Sequence, residues 1–186
     1  MSTSEHISPS IWQTLQQGPL AALRPPVDET LILKAREAFG HTLPEPLVDA
    51  YRHHNGQAPN GTPLFMDEYR WLSLQEALHE WRVWQDTMAR PDMASMRHTH
   101  ESCGDAQAKV RMDWWNERWW PLAISGMGDL LCVDGQPGPQ GRLHQIIEVS
   151  SELEGRSRAA ISLAELFKHA AADLAGDLTA PPLNQG

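Results

Sequence analysis

The sequence predicts an α+β fold, a single domain in which an antiparallel sheet of about four to six strands is covered by N-terminal and C-terminal helices. Amphipathic patterns with helix-capping residues occur before residue 55 and after residue 161. Apolar segments of strand length, separated by glycine-rich turns, lie between residues 119 and 149. A hydrophobic content of 41% over 186 residues supports one core, and the length favours one domain over two.

The central segment, residues 114–149, predicts three consecutive antiparallel strands. Its apolar runs are WWPLAI, DLLCVD and RLHQIIEV. Gly126-Met127-Gly128 separates the first two runs, and a glycine- and proline-rich stretch at 135–141 separates the last two, so both connections are predicted to be turns. The middle run is apolar at the successive positions 130–133, which predicts a strand that is covered on both faces.

Four tryptophans, Trp114, Trp115, Trp119 and Trp120, open this segment. Each buried indole contributes roughly 4–6 kcal/mol gross at about 25 cal/mol/Å², so the cluster is expected to anchor the core. Side chains alternate along a strand, which sends two of the four into the core and leaves two partly exposed. Exposed tryptophans are common anchors of protein interfaces. Trp115 is therefore a candidate partner-binding residue.

Three helices are predicted before residue 57. Ser8-Pro9 predicts the start of the first, which reaches Gln17. Asp28 caps the second, which ends at Gly40, and Leu43-Pro44 precedes the third. Asn55-Gly56 is expected to supply a left-handed exit from that third helix.

Further elements are predicted on either side of the central segment. Residues 64–66 and 69–72 have the composition of short strands, and Ser73 with Glu76 forms a capping box for a helix to about residue 90. Residues 158–161 predict a last short strand. Ser162 and Glu165 form a second capping box, for a helix that Gly176 is expected to close.

Residues 91–109 form the least patterned stretch, and this stretch contains His98, His100 and Cys103. A zinc site needs three or four converging ligands, and no second ligand pair stands at a recognisable spacing elsewhere. The same thiol lacks an assignable oxyanion hole or orienting group for nucleophilic catalysis. We interpret the stretch as a polar loop, and we expect neither a metal nor another cofactor.

No catalytic arrangement is apparent in the rest of the chain. Asp129 and Asp134 bracket the central strand, about 16 Å apart at 3.3 Å per residue, which is too far for a hydrolytic carboxylate pair. Cys132 lies between apolar residues and is expected to be a core thiol. The glycine-rich turns lack the spacing and the lysine of a phosphate-binding loop. We therefore expect a binding protein and not an enzyme.

The composition of the chain limits the classes of partner and the cellular compartment that can be expected. Acidic residues outnumber basic ones, and the net charge of −9 disfavours binding to a nucleic-acid backbone. No apolar run approaches the length of a membrane span, and the first ten residues lack a signal-peptide pattern. Two cysteines in unlike settings do not predict a disulfide. A cytoplasmic protein is expected, and its oligomeric state stays open.

Several motifs together resemble the SUKH superfamily. They are Trp-Trp-Pro-Leu-Ala-Ile, Leu-Leu-Cys-Val-Asp and Gln-Ile-Ile-Glu-Val in the central segment, the Leu43-Pro44 helix with Asn55-Gly56, and the closing helix at 162–167. The resemblance covers roughly residues 27–176, which we take as the domain. Residues 1–26 are then an N-terminal helix and linker, and residues 177–186 a tail that is expected to be disordered.

The resemblance implies a non-enzymatic immunity protein that neutralises a polymorphic toxin, often a nuclease, by direct binding. An acidic surface suits a basic toxin domain, because opposite charges steer association. The alternative is a regulatory or scaffold protein like the fungal cell-wall assembly regulators of the superfamily. The candidate contact residues, besides Trp115, are the carboxylates of Asp67, Glu68, Asp129 and Asp134.

Overall fold

The computed structural model describes residues 6–17, 22–93, 108–150 and 156–179. In these ranges the chain forms five α-helices, a short 3₁₀ helix at Pro91–Met93 and one five-stranded sheet. The helices are α1 (Pro9–Gln17), α2 (Glu29–Phe39), α3 (Glu45–His53), α4 (Leu74–Ala89) and α5 (Leu163–Thr179). The strands are β1 (Arg70–Trp71), β2 (Trp119–Ile124), β3 (Leu130–Asp134), β4 (Ile146–Val149) and β5 (Arg156–Ala160). The predicted α+β class is confirmed.

The five strands form an antiparallel meander in chain order, β1-β2-β3-β4-β5. The central part, β2 to β4, is the predicted one. The predicted strand at 69–72 is confirmed in part, because Arg70–Trp71 joins the sheet as β1, whereas the predicted strand at 64–66 is wrong. Phe65 and Tyr69 instead form an isolated bridge, and the chain turns between them through Met66 and Asp67, which have left-handed φ angles of 56° and 57°.

Strand β3 lies in the middle of the sheet and is buried along its whole length. Leu131 and Val133 face the main core, into which helices α1 to α5 also pack. Leu130 and Cys132 face a second, smaller core that contains Trp119. The predicted coverage of both faces of this strand is confirmed, and the alternation follows from the period of two in a β-strand.

Helix α1 contributes to the main core, although it precedes the predicted domain boundary. Trp12 and Leu15 are buried there, and the ring of Trp12 lies 5.2 Å from that of Phe167 in α5. The first and last helices therefore pack against each other on one face of the sheet. In the described part of the chain no helix is long and apolar enough to cross a membrane.

Of the two glycines predicted to end α2 and α3, Gly40 does so and Gly56 does not. Gly40 ends α2 with a left-handed φ of 70°, as predicted. The predicted exit of α3 at Asn55-Gly56 is misplaced, since α3 ends at His53 and its cap is an extended His54. Position 56 requires glycine for two reasons: its φ of 69° is left-handed, and a side chain there would come within 2.5 Å of the Leu72 backbone.

The predicted end of α5 at Gly176 is also wrong. Helix α5 continues to Thr179, three residues into the segment that the sequence assigned to a tail. A glycine inside a helix costs only about 1 kcal/mol, so it does not by itself end one.

Candidate partner-binding surface

Three of the four predicted contact carboxylates meet at one end of the sheet. Arg70 of β1 pairs with Ile124 of β2, and Leu130 of β3 pairs with Val149 of β4. The hairpin at 65–69 and the turn at 125–129 therefore lie at the same end. We name this region the acidic end, and its carboxylates are those of Asp67, Glu68, Asp129 and Glu148.

Tyr69 lies at the centre of the acidic end. Its hydroxyl donates to Glu148 Oε1 at 2.6 Å, and Ser157 Oγ donates to the other carboxylate oxygen at 3.2 Å. Burial raises the pKa of Tyr69 above its usual range, and the hydrogen bond to Glu148 and the charges of Glu68 and Asp129 add to the shift. The hydroxyl is therefore a protonated donor that fixes Glu148 among the neighbouring carboxylates.

Apolar side chains accompany these charges. Met66, at the tip of the hairpin, is 51% exposed, and Met127, in the turn between β2 and β3, is 73% exposed. Exposed methionines adapt to varied partner surfaces. The left-handed backbone of Met66 is unusual for a residue other than glycine, and such strain is often found at binding sites. Carboxylates with adaptable apolar contacts are suited to a basic protein surface.

Sequence reasoning missed three members of this surface. Glu148 is the only polar residue of β4, and an acidic residue within an otherwise apolar strand was the sequence signal that could have identified it. No sequence signal identified Met66 or Met127, because a methionine in a short turn is as compatible with burial as with exposure.

The prediction that Asp134 contributes to a contact surface is wrong, because this residue is fully buried. Its Oδ1 accepts from Trp119 Nε1 at 3.0 Å and from the Gln136 backbone N–H at 2.9 Å. Its Oδ2 accepts from Gln145 Nε2 at 2.9 Å. Burial raises the pKa of this carboxyl, although the three hydrogen bonds act in the opposite direction. Asp134 is a structural acceptor for three buried donors.

Trp115 is also buried, with 8% of its surface exposed, so the prediction of an exposed anchor at this position is wrong. Its ring stacks on Trp84 at 5.0 Å and meets Trp119 edge-on at 6.0 Å. Only Trp114 of the four clustered tryptophans stays partly exposed. The reason is that residues 108–115 fold over the second core and carry Trp115 into it.

The predicted polar loop with His98, His100 and Cys103 lies outside the described residues. Among the described residues, no group of three histidine, cysteine or acidic side chains is placed to hold a metal ion. Cys132 is a buried free cysteine, and burial raises the pKa of its thiol, in keeping with the predicted core position.

The absence of a structural metal at His98, His100 and Cys103 therefore stays a prediction. Treatment of the purified protein with a chelator is expected to leave the melting temperature unchanged, because no folding free energy would come from metal binding. Thermal unfolding with and without the chelator measures this. Stoichiometric zinc in elemental analysis, lost together with stability after chelation, would contradict it.

A five-stranded antiparallel meander covered by helices, with an acidic end, defines an α+β domain. The family model described as the SMI1 / KNR4 family (SUKH-1) matches residues 26–169, and the chain belongs to this family. A comparison with curated proteins gives no match. Membership in the family is consistent with immunity or regulatory roles and indicates protein–protein interaction.

Proposed function

We propose that this protein is an immunity protein that binds a toxin domain directly, masks its active site and has no catalytic activity of its own. The observation that carries the proposal is the acidic end, where four carboxylates and two exposed methionines lie beside one another. Nuclease domains have basic surfaces, so a protein with a net charge of −9 would be steered towards them. Family membership supports a protein partner.

Charge reversal at the hairpin tests this proposal. The double substitution Asp67→Lys and Glu68→Lys is expected to weaken binding by about tenfold at low salt, mainly through a slower association rate, because these exposed charges lie at the rim. The difference should shrink at high salt, where the charges are screened. Association and dissociation rates with the toxin domain encoded by the adjacent reading frame, measured at two salt concentrations, provide the readout.

The matched control reverses two other exposed carboxylates, Glu37→Lys on α2 and Asp86→Lys on α4, which change the net charge equally. This control should retain most of the affinity and should protect cells that express the toxin. Equal losses in both variants would show that only the net charge matters and would remove the acidic end as the contact surface. Failure of the unsubstituted protein to bind or protect would contradict the immunity role and favour the regulatory alternative.

A further inference from the structure

A second concave region lies at the opposite end of β3 from the acidic end. Residues 40–46, which are the connection between α2 and α3 and the first two residues of α3, lie across from Leu143 and His144 in the loop before β4. Two adjoining cavities between them have volumes of about 550 and 480 Å³, and His41, Thr42 and His144 line both. We name this region the His144 cleft. These volumes fall in the range of roughly 300–1,000 Å³ that is typical of ligand sites.

One wall of the cleft, formed by Arg118, Gly135 and His144, is held by backbone hydrogen bonds. His144 N–H donates to the Asp134 carbonyl at 2.8 Å, and Gly135 N–H donates to the Arg118 carbonyl at 3.0 Å. A side chain at Gly135 would come within 2.5 Å of that carbonyl oxygen, so the two segments touch. His144 keeps a left-handed φ of 65°. This wall is therefore preformed, which reduces the free-energy cost of ordering it around a ligand.

Charge distinguishes this cleft from the rest of an acidic protein. Arg36 pairs with Glu45 at 3.0 Å, and His41 Nε2 lies 3.6 Å from Glu117 Oε1. Arg118, an exposed residue, lines the same cavity as His41, and among the described residues no carboxylate forms an ion pair with it. Arg118 is therefore a cation that can pair with an anionic ligand, and its planar fork matches the two oxygens of a carboxylate or phosphate.

Apolar residues complete the lining. Leu43, Pro44 and Pro46 line one cavity, and Leu143, which is 54% exposed, lines the other. An exposed leucine beside a cationic group suits a ligand with an apolar body and an anionic group. Ligand sites commonly combine apolar walls with a few such polar groups.

We propose that the His144 cleft binds a small ligand that carries a carboxylate or phosphate group on a compact apolar body. Arg118 receives the oxyanion in a bidentate hydrogen bond, and Leu143 contacts the apolar body. This site is separate from the acidic end and does not depend on the immunity role.

The first experiment uses phenyl phosphate and phenylacetate as probes, with inorganic phosphate and acetate as their anionic halves and benzyl alcohol as a neutral counterpart of the apolar half. Amide NMR spectra of the full-length protein are recorded during each titration. At least one of the two complete probes should shift the signals of His41, Thr42, Leu143 and His144 in a saturable manner, and the stronger of the two identifies the oxyanion. Each half should bind at least about tenfold more weakly. No saturable shift with either complete probe, or equal binding by a half, would overturn the proposal.

The second experiment compares Arg118→Gln with the control Arg82→Gln. Both arginines are exposed, but Arg82 lies on α4 and does not line the cleft. Arg118→Gln should weaken probe binding by about tenfold or more, because a charge-assisted bidentate contact is lost. Its melting temperature should stay near that of the unsubstituted protein, since the backbone carbonyl that accepts from Gly135 remains. Unchanged binding by Arg118→Gln, or an equal loss in Arg82→Gln, would contradict the assignment.

Discussion

Replacing Trp119 with alanine is expected to lower the free energy of unfolding by about 3–5 kcal/mol. The indole of Trp119 is fully buried in the second core, and its Nε1 donates to Asp134 Oδ1 at 3.0 Å. The substitution therefore removes a large apolar side chain and one hydrogen bond to a buried carboxylate. Chemical denaturation measures the free energy, and the melting temperature should fall by about 6–20 °C.

One further variant separates the loss of apolar volume from the loss of the hydrogen bond, and a second serves as a control. Trp119→Phe keeps most of the apolar volume but loses the N–H donor, so its destabilisation should be smaller than that of the alanine variant. Trp84→Ala is the control, since Trp84 is only half-buried and stacks on Trp115 at the edge of the same core. A Trp119→Ala protein that melts within a degree or two of the unsubstituted one would show that this ring does not anchor the sheet.

The sheet and most helices were predictable because their signals are local. The apolar run at 130–133 and its flanking turns specify a covered central strand, whatever packs against it. Asp28 and Ser73 cap their helices through the backbone N–H groups of Leu31 and Glu76, only three residues away. A hydrogen bond of this span can be predicted from sequence spacing alone.

The hairpin at 65–69 was not predictable in the same way. Its turn uses left-handed backbone at Met66 and Asp67, and sequence rules look for glycine, asparagine or aspartate at such positions, so Met66 conceals the turn. The surrounding fold holds these residues in place, as Phe65 and Tyr69 are both buried in the main core. Tertiary packing therefore determines the conformation of this hairpin, and the local sequence does not predict it.

The exposure of the candidate surface residues also depends on contacts that are distant in the sequence. Asp129 and Asp134 occupy equivalent sequence settings, one at each end of an apolar strand. Asp129 is partly exposed, whereas Asp134 is buried because its hydrogen-bond donors include Trp119 and Gln145, which are 15 and 11 residues away in the chain. The spacing of residues in the sequence cannot show which of the two carboxylates will be buried by donors that are distant in the chain.

The buried environment of Asp134 predicts a large loss of stability in Asp134→Ala, about 3 kcal/mol or more near pH 4. The substitution leaves Trp119 Nε1, Gln145 Nε2 and the Gln136 backbone N–H without this acceptor, and a buried unpaired donor costs about 1–3 kcal/mol. Chemical denaturation measures the loss. Glu68→Ala is the control, because its carboxylate is exposed and its removal should change the free energy of unfolding by less than about 0.5 kcal/mol.

The loss should also depend on pH, in a direction that the pKa of Asp134 determines. Burial raises this pKa in the folded protein above the unfolded value of about 3.9, so the folded state binds the proton more tightly. The stabilisation linked to that proton is complete below the unfolded pKa and disappears as the pH rises through the folded pKa. The destabilisation of Asp134→Ala relative to the unsubstituted protein should therefore be larger near pH 4 than near pH 7. A destabilisation that grows with pH would show that the hydrogen bonds outweigh burial, and that the carboxylate is stabilised in its ionised form.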